Sequence, residues 1–144
     1  MRYFIDTNIF IFLCSDELDD LDPGVADLLA DVENTFIMSS ESLREIGSLI
    51  KGGRMELQKL SSFASVKTYA DYYNIKFRYV DESHMKTFYE LVPAPNHHDP
   101  ADLMIIAQAI TENIPLISSD AQFPSYKKQG LDLIPIKRGR RARS

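Results

Sequence analysis

The sequence predicts an α/β fold in which helices cover both faces of a mostly parallel sheet. Short, continuously apolar segments recur along the chain, as expected of strands that are buried on both faces. Segments with apolar residues at helical spacing separate them. Strands that alternate with helices in this way are typical of a parallel sheet. No internal repeat or linker divides the 144 residues, so one domain is expected.

The first half of the chain predicts two buried strands and the helices that follow them. Tyr3-Phe4-Ile5 runs into Asp6, so the first strand ends at this acid, and Thr7 or Asn8 is expected to cap the helix at residues 8–14. An acidic loop at 15–22 then leads to Pro23, which suits the first position of a helix. The further predicted elements are a helix at 23–33, a strand at 35–38, a serine-capped helix that ends at Gly52-Gly53, and a helix at 55–72.

The second half predicts the remaining strands. Residues 75–80 alternate between apolar and polar side chains, which favours a strand at an edge of the sheet. The proline-broken loop at 93–100 separates a helix at 82–91 from a largely apolar helix that begins at Pro100. Short apolar segments at 115–118 and 131–136 predict the last two strands.

Charge is distributed unevenly. The net charge is −5, but five of the 16 basic residues lie within residues 137–144, so that residues 1–136 form an acidic body. A simple nucleic-acid-binding domain would show a basic face instead. No apolar segment is long enough to span a membrane and no signal-peptide pattern opens the chain, so we expect a cytoplasmic protein. Cys14 is the only cysteine, which excludes a disulfide framework, and it is interpreted as a packing residue.

Four acids share one context, because each lies near the end of a predicted strand or the start of a helix. They are Asp6, Glu45, Asp102 and Asp120. The carboxyl ends of parallel strands meet at one edge of the sheet, so all four side chains can point into a single cleft. Each acid can alternatively serve only as a helix cap, and Asp99, directly before Pro100, is the plainest cap. Thr7 and Asn8 are interpreted as supporting residues that orient Asp6 or a metal-bound water.

Such a cluster of carboxylates needs compensation. Two carboxylates about 5 Å apart repel by roughly 3 kcal/mol at an effective dielectric constant near 20. A bound cation or raised pKa values must offset this repulsion. Oxygen ligands without cysteine favour Mg²⁺ or Mn²⁺ over Zn²⁺. The four acids are therefore predicted to be both metal ligands and catalytic residues for phosphodiester hydrolysis.

Four motifs, in order along nearly the whole chain, resemble those of the PIN domain. They are Phe-Ile-Asp-Thr-Asn at 4–8, Ser-Ser-Glu-Ser-Leu-Arg-Glu at 39–45, the segment from His98 to Ala109, and Leu-Ile-Ser-Ser-Asp at 116–120. The segment from His98 to Ala109 is the most specific of them. More closely, the chain is similar to the VapC-type ribonuclease toxins of type II toxin–antitoxin pairs. Leu103 departs from the pattern, since members close to it commonly carry an arginine there.

The resemblance implies a fold and an activity. It implies a three-layer α/β/α sandwich around a parallel sheet of five strands in the order 3-2-1-4-5, with residues 1–136 as the nuclease domain and 137–144 as a basic tail. It also implies a Mg²⁺- or Mn²⁺-dependent endoribonuclease that cuts RNA, dimerises and is silenced by a small antitoxin. The acids that match the family's site are Asp6, Glu45, Asp102 and Asp120, and Ser118 or Ser119 matches a hydroxyl residue beside the last acid.

Other polar and aromatic residues have weaker functional interpretations. His97 and His98 can ligate metal or touch RNA, but loop histidines beside prolines are more often exposed, and His84 is interpreted as structural or solvated. The aromatic-rich segment at 69–79 favours core and subunit contacts over base stacking. The tail at 137–144 is interpreted as a solvated end, with phosphate contact as the alternative.

Three other functions compete with the nuclease. A phosphatase with an aspartyl nucleophile would want an acid two residues after Asp6, where Asn8 stands. A catalytically silent module that binds RNA or a partner could have kept the fold, but all four acids are present. A receiver domain would need adjacent acids after its first strand and a further Asp in mid-chain. The nuclease remains the leading hypothesis.

Overall fold

The computed structural model describes residues 1–15, 22–53 and 59–136. The strands are β1 (Arg2–Ile5), β2 (Thr35–Ser39), β3 (Ile75–Arg78), β4 (Leu116–Ser118) and β5 (Leu133–Pro135). The helices are α1 (Thr7–Cys14), α2 (Pro23–Ala30), α3 (Ser40–Lys51), α4 (Phe63–Tyr72), α5 (Glu82–Glu90) and α6 (Pro100–Glu112), and a 3₁₀ helix spans Phe123–Gln129. The tail at 137–144, most of the acidic loop and residues 55–58 of a predicted helix lie outside the described residues.

The sheet has the predicted order and direction. Its strands follow the order β3-β2-β1-β4-β5, and every pair is parallel. β3 lies at an edge, as its alternating sequence predicted. Because β1 is the central strand, Asp6 lies at the middle of the sheet's carboxyl edge. This edge is where ligands bind in open parallel sheets.

Alternate side chains of β1 point into two separate cores. Tyr3 and Ile5 belong to a core that also contains apolar residues of α1, α2, α3 and α4. Phe4 belongs to a second core, formed with α6 and the 3₁₀ helix. α5 packs against α6 on that second face. The successive side chains of a strand point to opposite faces, so these two cores confirm the predicted three-layer sandwich.

Some element boundaries differ from the prediction. α2 ends at Ala30 rather than at residue 33, because the Asp31 side chain accepts a hydrogen bond from the backbone N–H of Glu33 and the chain leaves the helix there. α4 begins at Phe63, where Ser62 and Ser65 form a reciprocal capping box, so residues 59–61, which the sequence places in the predicted helix at 55–72, are not helical. The 3₁₀ helix was not predicted. None of the described helices combines the length and apolar character that a bilayer crossing requires.

Candidate active site at the carboxyl edge of the sheet

A cleft of about 220 Å³ opens at the carboxyl edge of the sheet. Its lining residues are Asp6, Thr7, Asn8, Ile11, Glu45, Leu49, Asp99, Asp102 and Asp120. All four predicted acids therefore meet in one place, and Asp99 joins them as a fifth carboxylate. Among the described residues that line this cleft there is no lysine or arginine.

Asp6 is held by hydrogen bonds to both of its carboxylate oxygens. The backbone N–H of Ile9 donates to Oδ1 at 3.2 Å, and the Ser118 hydroxyl donates to Oδ2 at 2.5 Å. Asp6 itself is thus the N-cap of α1, and the prediction that Thr7 or Asn8 caps this helix is wrong. The reason is that Asp6 keeps an extended backbone while Thr7 has already entered the helix.

Glu45 is held by the threonine that follows Asp6. Thr7 Oγ1 lies 2.7 Å from Glu45 Oε1 and 2.8 Å from the Ser42 hydroxyl. A threonine has one hydroxyl proton and an ionised carboxylate only accepts, so Thr7 donates to Glu45 and accepts a hydrogen bond from the Ser42 hydroxyl. Thr7 therefore orients Glu45 rather than Asp6, whereas Asn8 lines the cleft with an exposed side chain. Ser42 and Glu45 share a face of α3 because they are three residues apart.

Asp102 lies in the first turn of α6, next to the residue that caps it. Asp99 is the N-cap and accepts a hydrogen bond from the backbone N–H of Ala101 at 2.9 Å. Asp99 therefore has the capping role predicted for it, but it also lines the cleft. The helix N-terminus carries partial positive charge, which favours acids at both positions.

His97 contacts Asp102 from the loop that precedes α6. Its Nε2 lies 3.2 Å from Asp102 Oδ2, and its Nδ1 lies 2.7 Å from the hydroxyl of Tyr126. His97 is only 4% exposed, so the expectation of an exposed loop histidine is wrong for it and confirmed for His98. The sequence carried no signal for this contact beyond the closeness of His97 to Asp102, because Tyr126 comes from the 3₁₀ helix that was not predicted.

Asp120 follows β4 and is connected to Asp6 through Ser118. The backbone N–H of Asp120 donates to Ser118 Oγ at 3.0 Å, while the Asp120 side chain accepts from the backbone N–H of Gln122 at 2.8 Å. Of the two serines that were candidates beside the last acid, Ser118 is the one that contacts Asp6. Ser119 is partly exposed and is not among the residues that line the cleft.

Burial and mutual repulsion perturb the titration of Asp6. Burial raises its pKa from 3.8 to about 6, and the charges of Asp102 and Asp120 add to the effect. The hydrogen bonds from Ser118 and Ile9 act in the opposite direction. The charged form of Asp6 is therefore less favourable in the folded protein than it is in water.

The pKa values of Asp102 and Glu45 are raised as well. Burial raises the pKa of Asp102 to about 6, the hydrogen bond from His97 opposes this, and the charges of Asp99, Asp120 and Glu45 add to it. Burial also raises the pKa of Glu45, against the hydrogen bond from Thr7 and with repulsion from Asp99. Repulsion is thus shared across the cleft, which is the electrostatic state that a bound cation relieves.

The chemistry of the lining residues fits a hard divalent cation. Within the described ranges, no three His, Cys, Asp or Glu side chains already form a metal-binding group. The available donors are carboxylate oxygens with no cysteine among them, and Mg²⁺ and Mn²⁺ prefer such ligands. Three of the acids are held by hydrogen bonds, Asp6 from Ser118, Glu45 from Thr7 and Asp102 from His97.

The fold and the acid-lined cleft define a PIN-like α/β domain of the nuclease class. The chain belongs to the PIN domain family, whose model matches residues 3–129. This confirms the family resemblance of the four sequence motifs. A comparison with curated proteins gave no match.

Solved structures of toxin–antitoxin complexes share the fold. VapBC-1 from nontypeable Haemophilus influenzae aligns with a TM-score of 0.67 and 19% identity, over 94% of this chain and 98% of that one. VapBC2 from Rickettsia felis, bound to a DNA fragment from the promoter, aligns with a TM-score of 0.65 and 20% identity, over 95% and 100%. VapBC-5 from Mycobacterium tuberculosis aligns with a TM-score of 0.65 and 17% identity, over 93% and 98%. At these identities the likeness establishes the fold.

Proposed function

We propose that the protein is a metal-dependent endoribonuclease and the toxin of a toxin–antitoxin pair. The observation that supports this most is the convergence of five carboxylates on one cleft, with no cationic side chain among its described lining residues. Membership of the PIN domain family supports the nuclease class. The VapBC complexes among the solved relatives favour the toxin role.

The proposed metal ligands are Asp6, Glu45, Asp102 and Asp120. When bound there, Mg²⁺ or Mn²⁺ would supply an activated water and stabilise the leaving oxygen of a phosphodiester. The protein's own contribution is to hold the ligands. Ser118 holds the carboxylate of Asp6, Thr7 holds that of Glu45, and His97 holds that of Asp102.

The proposed partners follow from the toxin role. They are an RNA substrate, a small antitoxin that closes the cleft, and a second copy of the chain in a homodimer. An acidic cleft repels RNA phosphate unless its charge is compensated, so metal binding and substrate binding are expected to be linked.

The decisive experiment is cleavage of labelled, structured RNA by the purified protein. Mg²⁺ or Mn²⁺ should support cleavage, EDTA should abolish it, and Asp6→Asn and Asp102→Asn should each lose it while remaining folded by circular dichroism. Asp132→Asn is the matched control. Asp132 is an exposed acid directly before β5, so it lies at the amino ends of the strands, away from the cleft at their carboxyl ends. Metal-independent cleavage, or full activity of the two cleft variants, would contradict the proposal.

Expression in a host cell tests the toxin role separately. The wild-type chain should arrest growth, and Asp6→Asn should relieve the arrest at equal protein level. A catalytically silent PIN-like module is the alternative function. It would bind RNA or a partner protein under the same conditions and leave the RNA intact.

A further inference from the structure

We infer that His97 is a positioning residue that holds the Asp102 carboxylate in the cleft, and that Tyr126 fixes the imidazole for this purpose. The two contacts that carry the inference are His97 Nε2 to Asp102 Oδ2 at 3.2 Å and His97 Nδ1 to the Tyr126 hydroxyl at 2.7 Å. The inference rests on the proposed function, because Asp102 is one of the proposed metal ligands.

The hydrogen-bond partners determine the tautomer of His97. An ionised Asp102 only accepts, so Nε2 must carry the proton that it donates. Nδ1 of a neutral imidazole is then an acceptor, and the Tyr126 hydroxyl donates to it. The same hydroxyl accepts a hydrogen bond from the backbone N–H of Ala94 at 2.8 Å. The result is one directed chain from Ala94 through Tyr126 and His97 to Asp102.

The packing around His97 leaves the ring little freedom. Tyr126 and Phe123 are fully buried, and their ring centroids lie 5.4 Å and 6.1 Å from that of His97. Both aromatic residues belong to the 3₁₀ helix and to the core shared with α6. The imidazole is therefore seated against a rigid element rather than presented by a free loop.

This arrangement is the one expected of a residue that acts through a ligand. Groups that hydrogen-bond to metal ligands fix their orientation, and their loss typically lowers metal affinity or activity by about 10- to 100-fold. The adjacent His98 is exposed and provides an internal contrast. The two neighbouring histidines thus have opposite environments. Of these two, His97 is the one whose side chain contacts an acid of the cleft in the described part of the chain.

Four variants separate positioning from packing. His97→Phe keeps a ring against Phe123 and removes both hydrogen bonds. His97→Gln keeps a donor that can reach Asp102. Tyr126→Phe removes only the hydroxyl at the far end of the chain. His98→Phe is the control, since it makes the same substitution at the exposed neighbour.

The first readout is Mn²⁺ affinity, measured by electron paramagnetic resonance on protein whose fold is checked by circular dichroism. His97→Phe should raise the Kd for Mn²⁺ by about tenfold or more, and Tyr126→Phe by less. His97→Gln should restore much of the loss, and His98→Phe should match the wild type. RNA cleavage should follow the same order through kcat, with KM little changed.

The second readout is independent of metal and of activity. Nitrogen-15 chemical shifts of the His97 ring should show a proton on Nε2, the nitrogen that faces Asp102, and Tyr126→Phe should change the chemical shift of Nδ1. If His97→Phe does not fold, this measurement and Tyr126→Phe still decide the matter. An Nε2 without a proton, or wild-type Mn²⁺ affinity in folded His97→Phe, would overturn the inference.

The outcomes also distinguish the inference from the function on which it rests. Wild-type protein that neither binds Mn²⁺ nor cuts RNA would overturn the proposed function and, with it, the role of His97 toward a metal ligand. Wild-type protein that binds and cuts, together with variants of His97 that do so equally well, would overturn the inference alone.

Discussion

Ser118 Oγ lies 2.5 Å from Oδ2 of Asp6, and this contact joins the end of β4 to the residue that ends β1. Both side chains are buried, at 2% and 5% exposure. The same hydroxyl accepts a hydrogen bond from the backbone N–H of Asp120. Ser118 therefore links two of the proposed ligands across neighbouring strands.

Ser118→Ala should weaken both stability and metal binding. The substitution leaves a buried carboxylate oxygen and the Asp120 N–H without their partner, so we expect a loss of about 1–3 kcal/mol in the free energy of unfolding. We also expect a Kd for Mn²⁺ about tenfold higher. Urea unfolding and Mn²⁺ titration measure the two effects. Ser119→Ala is the matched control, and equal behaviour of the two alanine variants would refute the linking role.

Thr7→Val should lower activity without unfolding the protein. Valine has nearly the shape of threonine but cannot donate to Glu45, whose carboxylate then becomes free to rotate. We expect kcat for RNA cleavage to fall by about tenfold, in line with other groups that orient ligands. Thr7→Ser keeps the hydroxyl and should keep most of the activity. Thr68→Val, on the exposed side of α4, controls for the loss of a helix threonine hydroxyl. A Thr7→Val protein with wild-type kcat would remove Thr7 from the site.

Asp6 should make the metal-free protein less stable as the pH rises. Its pKa is raised from 3.8 to about 6 by burial first and then by repulsion from Asp102 and Asp120. The folded state then binds more protons than the unfolded state between these values, so the contribution of Asp6 to stability is fully present below pH 3.8 and is lost as pH rises through 6. The loss amounts to at most about 3 kcal/mol.

Asp6→Asn isolates this contribution. Asparagine is also a good N-cap, so the variant keeps the hydrogen bond from Ile9 while it removes the charge. In EDTA, the variant should gain stability relative to the wild type between pH 4.5 and pH 7.5, as followed by urea unfolding at both values. A stability difference that is independent of pH would show that Asp6 is not perturbed as described. Added Mn²⁺ should stabilise the wild type more at pH 7.5 than at pH 4.5, since its ligands must be deprotonated.

The parts of this fold that the sequence predicts are those governed by local pattern. The apolar segment before Asp6 identifies a buried strand, and parallel strands necessarily gather their carboxyl ends, so the meeting of Asp6 with Asp102 and Asp120 follows from topology. The family resemblance supplied the strand order. The alternation of apolar and polar residues at 75–80 likewise predicts that β3 lies at an edge of the sheet.

The parts that the sequence does not predict depend on contacts between distant residues. Whether His97 is buried depends on Tyr126, which belongs to a 3₁₀ helix without strong periodicity. The sequence predicts that Thr7 orients Asp6 or a metal-bound water. In the structure its hydroxyl contacts Glu45, because successive side chains of a helix are turned by about 100° from one another. Such pairings require the packed chain.

A second polar network, away from the proposed ligands, should control stability. Glu112 Oε2 receives hydrogen bonds from Arg78 Nη2 at 2.6 Å and from His84 Nε2 at 2.7 Å, and His84 is fully buried. His84 Nδ1 accepts from the backbone N–H of Asp81 at 3.0 Å, which leaves the proton on Nε2. The network therefore ties β3, α5 and α6 together, and the structural interpretation of His84 is confirmed.

Glu112→Gln should destabilise the protein at neutral pH by about 1–3 kcal/mol, because a neutral amide oxygen accepts the hydrogen bonds from Arg78 and His84 without the negative charge that strengthens them. Burial acts to raise the pKa of Glu112, but the hydrogen bonds from His84 and Arg78 and the charge of Arg78 outweigh it and lower the pKa below 4.5. The contribution of Glu112 is thus present above pH 4.5 and is lost as pH falls through the lowered folded value. Urea unfolding at pH 7 and at pH 3.5 should show a large difference in the free energy of unfolding between wild type and Glu112→Gln at pH 7 and a smaller one at pH 3.5.

Glu90→Gln is the matched control, since Glu90 lies at the exposed end of α5, and it should behave as the wild type at both pH values. An equal deficit of Glu112→Gln at the two pH values would mean that the ionised carboxylate of Glu112 is not what stabilises this network.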